Sequence, residues 1–373
     1  MKIAVVHEFL LKMGGAENTL RAIMQVYPNA DMFFLNADED IFHKNFAFVK
    51  NQHYQTSWLG KLPKCLRRLS RLFVGAYPQM VEAFDFSEYD LVICSSNSFG
   101  HGVCTSVQTP VVCYYHSACR YLWDWKNEYE KENKLRGIKG FLAKLLFFKQ
   151  RQWDFLASRR VDVALANSIN VQKRLRKYYK LESEVLYPPI EMLEVDEKLF
   201  EKNEREDFFL IASTLTPYKN IELAVRVFNA NGRRLVVAGG GADMRRLKEL
   251  SKPNIEFLGF VDRSKLVDLM SKAYAFVFPG EEDFGMAPVE AMSFGCPVIA
   301  FKKGGLLETV IDQETGVFFQ ENTQASLQNA IVEFDRIYPE LKLSDCRRAA
   351  SKFDKRIFQE KLKNIIDKTL QNV

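Results

Sequence analysis

The sequence predicts an α/β protein built from two doubly wound domains, each around a parallel sheet. The chain has 373 residues, more than the roughly 250 to 300 at which one hydrophobic core stops growing. Short apolar runs alternate with longer mixed segments, which is the rhythm of strand–helix–strand units. This alternation is interrupted by a polar, acidic stretch after residue 190 and then resumes. We therefore expect domains at 1–190 and 191–351, with a final helix at about 352–373 that packs back on the first domain.

The first domain contains five candidate strands. Each is an apolar run of the kind that forms a strand buried on both faces of a parallel sheet. The runs are "KIAVVHE" (2–8), "DMFFL" (31–35), "DLVICS" (90–95), "PVVCYY" (110–115) and "DVALA" (162–166). Gly14 and Gly15 turn the chain after the first run, and a helical stretch begins at Ala16.

The second domain repeats this pattern after the prolines of "YPPI" (187–190) and an acidic linker. Its candidate strands are "FFLIAS" (208–213), "RLVVAGGG" (234–241), "NIEFLG" (254–259), "AYAFVFPG" (273–280) and "PVIAF" (297–301). Ligands of doubly wound sheets bind beyond the carboxyl ends of the strands. We therefore expect two domains that face each other across a cleft, with the ligand site in that cleft.

Composition favours a cytoplasmic protein. No 18-residue apolar window lacks charge, and the N-terminal run carries Glu8 and Lys12 without a small-residue cleavage pattern. The seven cysteines are odd in number and form no CxxC pair, as in proteins with reduced thiols. The net charge of +5 is modest and accompanies no nucleic-acid-binding motif, so we expect no nucleic acid partner.

The stretch "GEEDFGMAPVEAM" (280–292) contains the first candidate site. It links a predicted strand to a predicted helix, so Glu282 lies in the loop and Glu290 about one turn into the helix. Side chains on a helix lean toward its N-terminus, so both carboxylates can reach one ligand. Carboxylates accept hydrogen bonds from sugar hydroxyls, and amides at a helix start bind phosphate. On spacing alone, the alternative is that Glu282 is a helix-start charge and Glu290 a solvated side chain.

A long ordered pattern surrounds this stretch. It comprises Glu282, Phe284, Gly285, Glu290, "AM" (291–292), Gly295, "PVIA" (297–300), Gly304, Gly305, Glu308, Val310, Asp312 and "TG" (315–316). In this pattern the chain resembles the retaining, nucleotide-sugar-dependent glycosyltransferases of family 4. The first half resembles the mannosyltransferase-like branch of that family through "GGAE" (14–17), "YDLVICSS" (89–96), "YYHSACRYLWD" (114–124), "ANS" (166–168) and "YPPI" (187–190). The resemblance implies the GT-B fold, in which two Rossmann-like domains bind the nucleotide on the second and the acceptor largely on the first.

The resemblance also implies a set of donor-binding residues. The set consists of Gly14, Gly15, Thr214, Lys219, Glu282, Phe284, Gly285, Met286 and Glu290. Glu282 would bind hydroxyls of the donor sugar, and Glu290 would hold the ribose diol. Lys219 would neutralise the pyrophosphate, while the amides of 284–286 would lie near the sugar and the phosphates.

Thr214 departs from the family pattern. The family has Ser-Arg-Leu where this chain has Ser213, Thr214 and Leu215. Thr214 donates only a neutral hydrogen bond, and a charge-assisted one is about twice as strong. A second cation on the leaving diphosphate is therefore missing, and we consider Arg120 and Arg21 as its replacements.

The first domain supplies candidates beside the reacting sugar. His116 directly follows the strand run 110–115, at the carboxyl end where ligands bind, although a lone histidine is also a common structural residue. The shared pattern makes His116, together with Glu282, our candidate catalytic pair, with His116 against the donor sugar or the acceptor hydroxyl. The candidate acceptor-binding residues are His116, Arg120, Trp123 and Asp124. Trp123 is equally consistent with a core residue.

The mechanism implied by the resemblance is same-face attack within an ion pair, with the leaving phosphate taking the acceptor proton. The protein then contributes positioning and electrostatic stabilisation of the diphosphate. We expect no metal site, and no cofactor besides the nucleotide-sugar donor, which is a co-substrate. The alternative is a metal site at Asp38, Glu39 and Asp40, which mimic the D-x-D motif of the other glycosyltransferase fold. Acidic residues there also suit the start of a following helix.

A basic segment at 57–73 lies inside a long stretch without acidic residues, from 41 to 81. Its apolar residues recur every three or four positions: Leu59, Leu62, Leu66, Leu69 and Phe73. Its basic residues are Lys61, Lys64, Arg67, Arg68 and Arg71. This pattern predicts a basic amphipathic helix, either on an anionic membrane surface or packed with a solvated basic face. The apolar, basic run at 138–150 favours the membrane, at the inner face of the cytoplasmic membrane.

Taken together, these features predict a retaining transferase that moves mannose from GDP-mannose, or a related GDP-sugar, onto a lipid-linked or polysaccharide acceptor of a surface glycan. The GDP base is inferred from the mannosyltransferase-like branch and not from a particular residue. A UDP-sugar transferase and a GT-B nucleotide-sugar epimerase are the alternatives among enzymes. A weakly catalytic sugar-nucleotide-binding subunit is the alternative that Thr214 motivates.

Overall fold

The structure is a computed structural model that describes residues 1–67 and 69–371. The chain divides into two compact units. Unit 1 contains Met1–Pro189 together with the chain from Phe358 onward, and unit 2 contains Ile190–Ile357.

Within the described residues, unit 1 is built on a seven-stranded parallel sheet. Its strands are β1 (Ile3–Leu10), β2 (Asp31–Ala37), β3 (Tyr54–Thr56), β4 (Leu91–Ser96), β5 (Val111–Tyr115), β6 (Val163–Ala166) and β7 (Glu184–Val185). They lie in the order β3-β2-β1-β4-β5-β6-β7, and the neighbouring pairs are parallel. The strand order reverses between β1 and β4, and the carboxyl ends of strands at such a point are where doubly wound sheets bind ligands.

Helices cover this sheet. They are α1 (Gly15–Val26), α2 (Glu39–Asn45), α3 (Lys64–Arg67), α4 (Tyr77–Glu82), α5 (Lys126–Glu132), α6 (Gly137–Ser158) and α7 (Ile169–Arg174). Two 3₁₀ helices lie at Ser70–Ala76 and Gly100–Gly102, and a π-helical turn at Leu175–Tyr179 continues α7. The buried apolar side chains of the sheet belong to two clusters, which is how a doubly wound sheet buries both of its faces.

Unit 2 repeats the architecture with a six-stranded sheet. Its strands are β8 (Glu206–Ala212), β9 (Leu235–Ala238), β10 (Ile255–Gly259), β11 (Ala273–Phe278), β12 (Val298–Phe301) and β13 (Gly316–Phe319), in the order β10-β9-β8-β11-β12-β13. Its helices are α8 (Ile221–Asn231), α9 (Met244–Leu250), α10 (Arg263–Lys272), α11 (Met286–Ser293), α12 (Leu306–Thr309), α13 (Gln324–Ile337) and α14 (Leu343–Ser351). Short 3₁₀ helices occupy Glu197–Phe200, Lys202–Glu204 and Pro217–Lys219.

The final helix, α15 (Lys355–Gln371), belongs to unit 1 from Phe358 onward. Its buried residues Phe358, Leu362 and Ile366 recur at every fourth position, which places them on one face of the helix. All three join the same buried cluster as β-strand residues of unit 1. Helix α15 therefore contributes to the hydrophobic core of unit 1.

The ten predicted strands all form, which confirms the α/β class with two Rossmann-like units. The expected helix over 57–73 is wrong, because α3 covers four residues and a separate 3₁₀ helix follows it. The carbonyl of Pro63 accepts from the amides of Leu66 and Arg67 at 2.9 and 3.1 Å, so the helical turn starts only after this proline. Arg68 lies outside the described residues.

Helix α6, with 22 residues, is the longest helix that the structure describes. Among residues 1–67 and 69–371, every helix is too short or too polar to cross a membrane.

Candidate functional site

Most candidate residues of unit 2 lie on loops at the carboxyl ends of its central strands, while Met286 and Glu290 lie on helix α11. β8 leads into residues 213–220, β11 into 279–285, and β12 into 302–305. Because these strands are neighbours in one parallel sheet, their loops emerge side by side. The predicted donor residues Lys219 and Glu282 are therefore brought to the same edge of the sheet.

The start of helix α11 depends on a glycine. Gly285 has a φ of 90°, a conformation that side chains with a Cβ rarely adopt, and a Cβ there would overlap the side chain of Leu306. Phe284 is buried, and its ring packs edge-on against the ring of Phe353 with centroids 5.2 Å apart. The ring of Phe284 is therefore held in the core of unit 2, and the donor contacts of the amides of 284–286 stay a prediction.

Gly305 holds a second loop against the Glu282 loop. Its amide donates to the carbonyl of Glu282 at 2.9 Å. A Cβ on Gly305 would overlap the backbone of Asp283 and Phe284, and backbone cannot move aside as a flexible side chain can. The two-glycine element that follows β12 is thus required for the position of the loop that carries Glu282.

Lys219 and Glu282 form an ion pair with each other. The lysine side chain is 13% exposed and the glutamate side chain 25% exposed. The Lys219 Nζ also lies over the rings of Tyr218 and Phe278, 5.1 and 5.8 Å from their centroids. A cation and a carboxylate are therefore held together at the loop edge, where each can meet a different part of a polar, anionic ligand.

Glu290 faces a different cation. Its Oε2 lies 3.3 Å from the Nη1 of Arg263, the first residue of α10. The Glu290 side chain is 15% exposed, and this burial raises its pKa, while Arg263 acts in the opposite direction and Glu191 adds to the rise. Glu282 and Glu290 are thus two separately paired carboxylates. Sequence reasoning missed Arg263, which carries no motif of its own.

Thr214 lies in a tightly held segment. The amide of Leu215 donates to the carbonyl of Gly240 at 3.0 Å, and the amide of Thr216 donates to the carbonyl of Thr214 at the same distance. The bond to Gly240 joins the loop after β8 to the glycine run that follows β9. The compensation that we considered for Thr214 stays a prediction: Arg21 is exposed on α1, and the guanidinium of Arg120 lies 5.9 Å from the Trp125 ring centroid.

In unit 1, His116 belongs to a chain of buried polar side chains. Its Nε2 lies 2.8 Å from the Oγ of Ser95, and the same Oγ lies 3.0 Å from the Nδ1 of His7. The Nε2 of His7 in turn lies 3.8 Å from the Oε1 of Glu17. Adjacent strand ends thus supply His7, Ser95 and His116, the switch-point position expected for ligand-binding groups.

The two histidines of this chain have opposite pKa shifts. Burial and the neighbouring His7 lower the pKa of His116 to about 3, against a smaller opposite effect of Glu8. Burial also lowers the pKa of His7, but the carboxylates of Glu17 and Glu8 outweigh it, so that the pKa of His7 is raised. His116 is therefore a neutral imidazole at neutral pH, and His7 is the site where a positive charge is favoured.

A histidine titration tests this assignment. We expect the ring resonances of His116 to stay in their neutral position between about pH 8 and pH 5, because its pKa lies below that window. A lowered pKa in the folded state means that stability from neutral His116 is present above its ordinary pKa and is lost as the pH falls below it. His116→Gln should therefore make the melting temperature less sensitive to acid. A His116 midpoint above pH 5 would contradict the assignment.

Glu8 organises the loop that follows β4. Its carboxylate accepts from the amides of Ser98, Phe99 and Gly100, each at 2.8 Å, and from the amide of Asn97 at 2.9 Å. Burial raises the pKa of Glu8, but the charge of His7 and these amide donors outweigh it, so that the pKa is lowered. Glu8 thus fixes a loop close to Ser95 and is a structural anion.

Gly14 and Gly15 lie at the start of α1. Gly14 is the residue before the helix, and Gly15 is its first residue. A Cβ on Gly14 would come within 2.9 Å of the Oε2 of Glu17, so the glycine lets Glu17 fold back toward the strand end. The "GGAE" element therefore places the carboxylate that faces His7.

The predicted acceptor residues have partners within unit 1. The indole N–H of Trp123 donates to the Oδ2 of buried Asp154 at 2.6 Å, and its ring stacks on Tyr178 with centroids 5.1 Å apart. Asp124 pairs with the Nε of Arg174 at 2.8 Å. Trp123 thus packs as a core residue does, and its role toward an acceptor stays a prediction, as it does for Arg120 and Asp124.

Asp38 caps helix α2. Its Oδ1 accepts from the amides of Asp40 and Ile41 at 3.1 and 3.2 Å, and Glu39 and Asp40 occupy the first turn. This is the helix-start arrangement that the sequence left open beside the metal alternative. Within the described part of the chain, no group of three His, Cys, Asp or Glu side chains could hold a metal ion.

Three residues near His116 were not predicted as site residues: His7, Ser95 and Glu17. A signal for His7 was available, since His7 and Glu8 are adjacent ionisable residues at the end of an otherwise apolar strand run. Ser95 and Glu17 lie in the quoted segments "YDLVICSS" and "GGAE", but only the fold shows that they meet at His7.

A family model described as glycosyl transferases group 1 matches residues 194–350, almost all of unit 2. The human alpha-1,3/1,6-mannosyltransferase ALG2 is 30% identical over 247 residues, which cover 56% of this chain and 59% of that relative. The O-antigen chain mannosyltransferase RfbU of Salmonella typhimurium is 30% identical over 156 residues, which cover 39% of this chain and 43% of that relative. The chain thus spans about half the length of these curated relatives.

Among solved structures, that of Anabaena Alr3699/HepE in complex with UDP has a TM-score of 0.72 at 18% identity, covering 99% of this chain and 100% of that chain. At this identity the likeness shows the fold, which is the predicted GT-B class. The matched segment includes Lys219, Glu282 and Glu290. Residues 194–350, which form most of unit 2, therefore resemble the glycosyl transferases of group 1.

Proposed function

We propose that this protein is a retaining glycosyltransferase that moves mannose from GDP-mannose onto a lipid-linked or polysaccharide acceptor in surface glycan synthesis. The observation that carries the proposal is the loop edge of unit 2. There the ion pair of Lys219 and Glu282 lies beside the glycine-dependent start of α11, within the segment that matches the family. Glu290, on the same helix, supplies the second carboxylate.

In this proposal the ion pair of Lys219 and Glu282 opens when the donor binds, and each side chain contacts a different part of the donor. The lysine binds the diphosphate, and the carboxylate accepts hydrogen bonds from hydroxyls of the sugar. Their mutual pairing in the free chain keeps two partly buried charges compensated, since an unpaired buried charge is costly. The amides at the start of α11 add donors for phosphate oxygens.

Glu290 binds the ribose diol, and Arg263 holds it in place. A carboxylate that is 15% exposed and lies 3.3 Å from an arginine has a restricted position, which suits a bidentate contact with two vicinal hydroxyls. Arg263 is 42% exposed, so its guanidinium can also reach solvent-side parts of the ligand. Arg263 is thus a positioning residue in this proposal.

The proposed place of His116 is beside the reacting sugar. With a pKa lowered to about 3, it contacts the donor or the acceptor hydroxyl as a neutral imidazole and cannot be the second cation that Thr214 fails to supply. Gly14 and Gly15 allow close approach of a ligand at the same end of the sheet of unit 1. The proposed acceptor contacts are those of Arg120, Trp123 and Asp124.

Mannose is favoured because the two relatives described above are both mannosyltransferases by name. The Anabaena protein was solved with UDP, which favours a UDP-sugar as the second candidate donor. A nucleotide-sugar epimerase would release an altered sugar without an acceptor, and a weakly catalytic subunit would bind the donor without turnover. We propose that transfer needs no metal and no further cofactor.

A transfer assay tests the proposal. The intact protein is incubated with GDP-mannose, UDP-glucose or UDP-galactose, a membrane lipid extract, and either Mg²⁺ or EDTA. We expect GDP release and a mannosylated lipid product with GDP-mannose, with equal rates in EDTA and with the anomeric configuration retained. Turnover with UDP-sugars alone would show that the donor is a UDP-sugar and not GDP-mannose. An altered free sugar would indicate an epimerase. The absence of transfer and of donor hydrolysis with every donor would contradict the proposal that the protein is an enzyme. Loss of turnover in EDTA would support the metal alternative.

Glu290→Gln should separate binding from stability. Burial raises the pKa of Glu290, so its protonated form is the stabilising one, and that stability is lost as the pH rises through the folded pKa. The neutral amide should therefore leave the melting temperature at pH 7 unchanged or higher. Loss of a charged acceptor for the ribose should weaken GDP binding about 10- to 100-fold.

The check is calorimetric titration with GDP beside thermal melts with and without the nucleotide. Glu256→Gln is the matched control, because Glu256 is an exposed glutamate of unit 2 that pairs with Arg234 at 3.5 Å. Unchanged GDP affinity in Glu290→Gln would remove Glu290 from the donor site.

A further inference from the structure

Helix α6 exposes a continuous apolar face. Its buried residues are Gly140, Phe147, Gln150, Asp154, Ala157 and Ser158. Between them, the exposed large apolar residues are Ile138 (82%), Phe141 (62%), Leu142 (59%), Leu145 (47%) and Phe148 (54%). This i, i+3, i+4, i+7, i+10 spacing places them on one side of the helix. Contiguous apolar surface of this kind indicates an interaction site.

A second exposed apolar segment lies beside α6. The Nε2 of Gln150 donates to the carbonyl of Val74 at 2.6 Å, and the Cβ position of Gly75 lies 3.3 Å from the Leu146 side chain. The 3₁₀ helix at Ser70–Ala76 is therefore packed against α6. This helix and the residues before it add the exposed side chains of Leu66 (41%), Leu69 (50%) and Leu72 (76%). We call the exposed apolar residues of α6 and of 66–72 the apolar surface.

Basic residues predominate around the apolar surface. The chain from 41 to 81 contains no acidic residue, and neither does α6 before Asp154, which is buried. The exposed lysines next to the apolar residues are Lys61, Lys64, Lys139, Lys144 and Lys149. The nearest acidic partner given by the structure is Glu130, 3.8 Å from the Nζ of Lys144.

We propose that the apolar surface docks on an anionic phospholipid bilayer, with the phenylalanines and leucines at the acyl boundary and the lysines among the headgroups. The apolar side chains are then removed from water and the lysines contact anionic headgroups, as in helices that lie in the plane of a membrane interface. A second copy of this chain would instead bring like charges together, which opposes association. The proposal goes beyond the glycosyl transfer function and does not depend on it.

Vesicle flotation with the intact protein tests the docking. We expect at least about ten-fold tighter binding to vesicles that contain phosphatidylglycerol than to phosphatidylcholine alone, since each lysine near an anionic surface adds about five-fold. Raising the salt to about 0.5 M should weaken the binding, because screening shortens the reach of the lysines. Absence of binding to anionic vesicles would overturn the proposal.

Three variants locate the contact. Phe141→Gln with Leu145→Gln should weaken vesicle binding at least about ten-fold, because both side chains are exposed and leave the core intact. Lys139→Gln with Lys149→Gln should weaken binding to anionic vesicles and leave binding to phosphatidylcholine unchanged. Val332→Gln, at an exposed valine of α13, is the matched control and should bind as the parent does.

Two further readouts keep the outcomes distinct. Thermal melts of each variant show that the fold is kept, and sedimentation shows the oligomeric state. If the Phe141 and Leu145 variant binds vesicles as the parent does, or if it only dissociates a dimer, the apolar surface is not a lipid surface. GDP binding measured without vesicles on the same samples tests the donor site separately, so that failure of one proposal is not failure of the other.

Discussion

Lys219→Ala is expected to lower kcat/KM for transfer by about 10²- to 10³-fold, with most of the loss in kcat. Removing one preorganised donor that faces developing charge typically has an effect of this size. The effect should be large here because Thr214 stands where the family pattern has an arginine, so that Lys219 is the cation proposed to carry most of the charge on the leaving diphosphate. The measurement is a steady-state assay with the donor that the panel identifies.

A structural explanation of the same loss must be separated from a chemical one. Lys219→Ala leaves Glu282 without its cation, and an unpaired, partly buried carboxylate is destabilising. Lys219→Ala combined with Glu282→Gln removes that penalty, so we expect the melting temperature to recover while transfer stays lost. Lys265→Ala, at an exposed lysine of α10 that pairs with Asp268, should leave both unchanged. The double variant also lacks the Glu282 carboxylate, so it tests stability only. A loss of transfer in Lys219→Ala that is no larger than its loss of folded protein at the assay temperature would contradict the role of Lys219.

Gly305→Ala is expected to weaken donor binding because it displaces the backbone of the Glu282 loop. A methyl group on Gly305 would overlap Asp283 and Phe284, so the Glu282 loop has to shift, and a shift of about 1 Å at such a site typically costs about 10²-fold in rate. We also expect a loss of stability of about 1 to 3 kcal/mol from the overpacking. GDP titration and thermal melts measure the two effects.

Gly232→Ala is the matched control for this glycine variant. Gly232 caps α8 with a φ of 72°, and a Cβ there would contact nothing within 4 Å. It should therefore lose stability through backbone strain of about 1 to 2 kcal/mol while GDP affinity is kept. Unchanged GDP affinity in Gly305→Ala would show that the loop after β12 does not hold the donor site.

The fold was largely readable from the sequence because its strands are buried on both faces. Continuous apolar runs such as those of β1 and β11 have few alternatives to a central parallel strand. The missed strands β3, β7 and β13 have two to four residues each and lie at the edges of the sheets. Their pairing is decided by the neighbouring strand and not by their own composition, so the sequence alone offers no signal.

The basic segment was misread for a related reason. Its three- and four-residue spacing is present, but Pro63 interrupts the helix. Leu59 is buried, and its amide donates to the Oγ of Ser57 at 3.2 Å. The exposed leucines of that segment and those of α6 come together only through tertiary packing. Sequence spacing could identify each patch but not their adjacency.

The candidate site was predictable as a list of residues but not as a set of pairs. The motif names Glu282, Glu290 and Lys219, while the structure decides that Lys219 faces Glu282 and that Arg263 faces Glu290. His7 and Ser95 join His116 because parallel strand ends meet at one edge of a sheet. Such relations depend on strand order, which a local motif does not contain.

Hydrogen exchange on the intact protein, with and without saturating GDP, tests the central claim most directly. The claim is that the nucleotide binds the loops that carry Lys219 and Glu282 and the helix α11 that carries Glu290. We predict slower exchange at 214–220 and 281–290 on addition of GDP, and loss of that protection in Glu290→Gln at the same nucleotide concentration. Unchanged exchange in both segments, with protection elsewhere or nowhere, would contradict the claim.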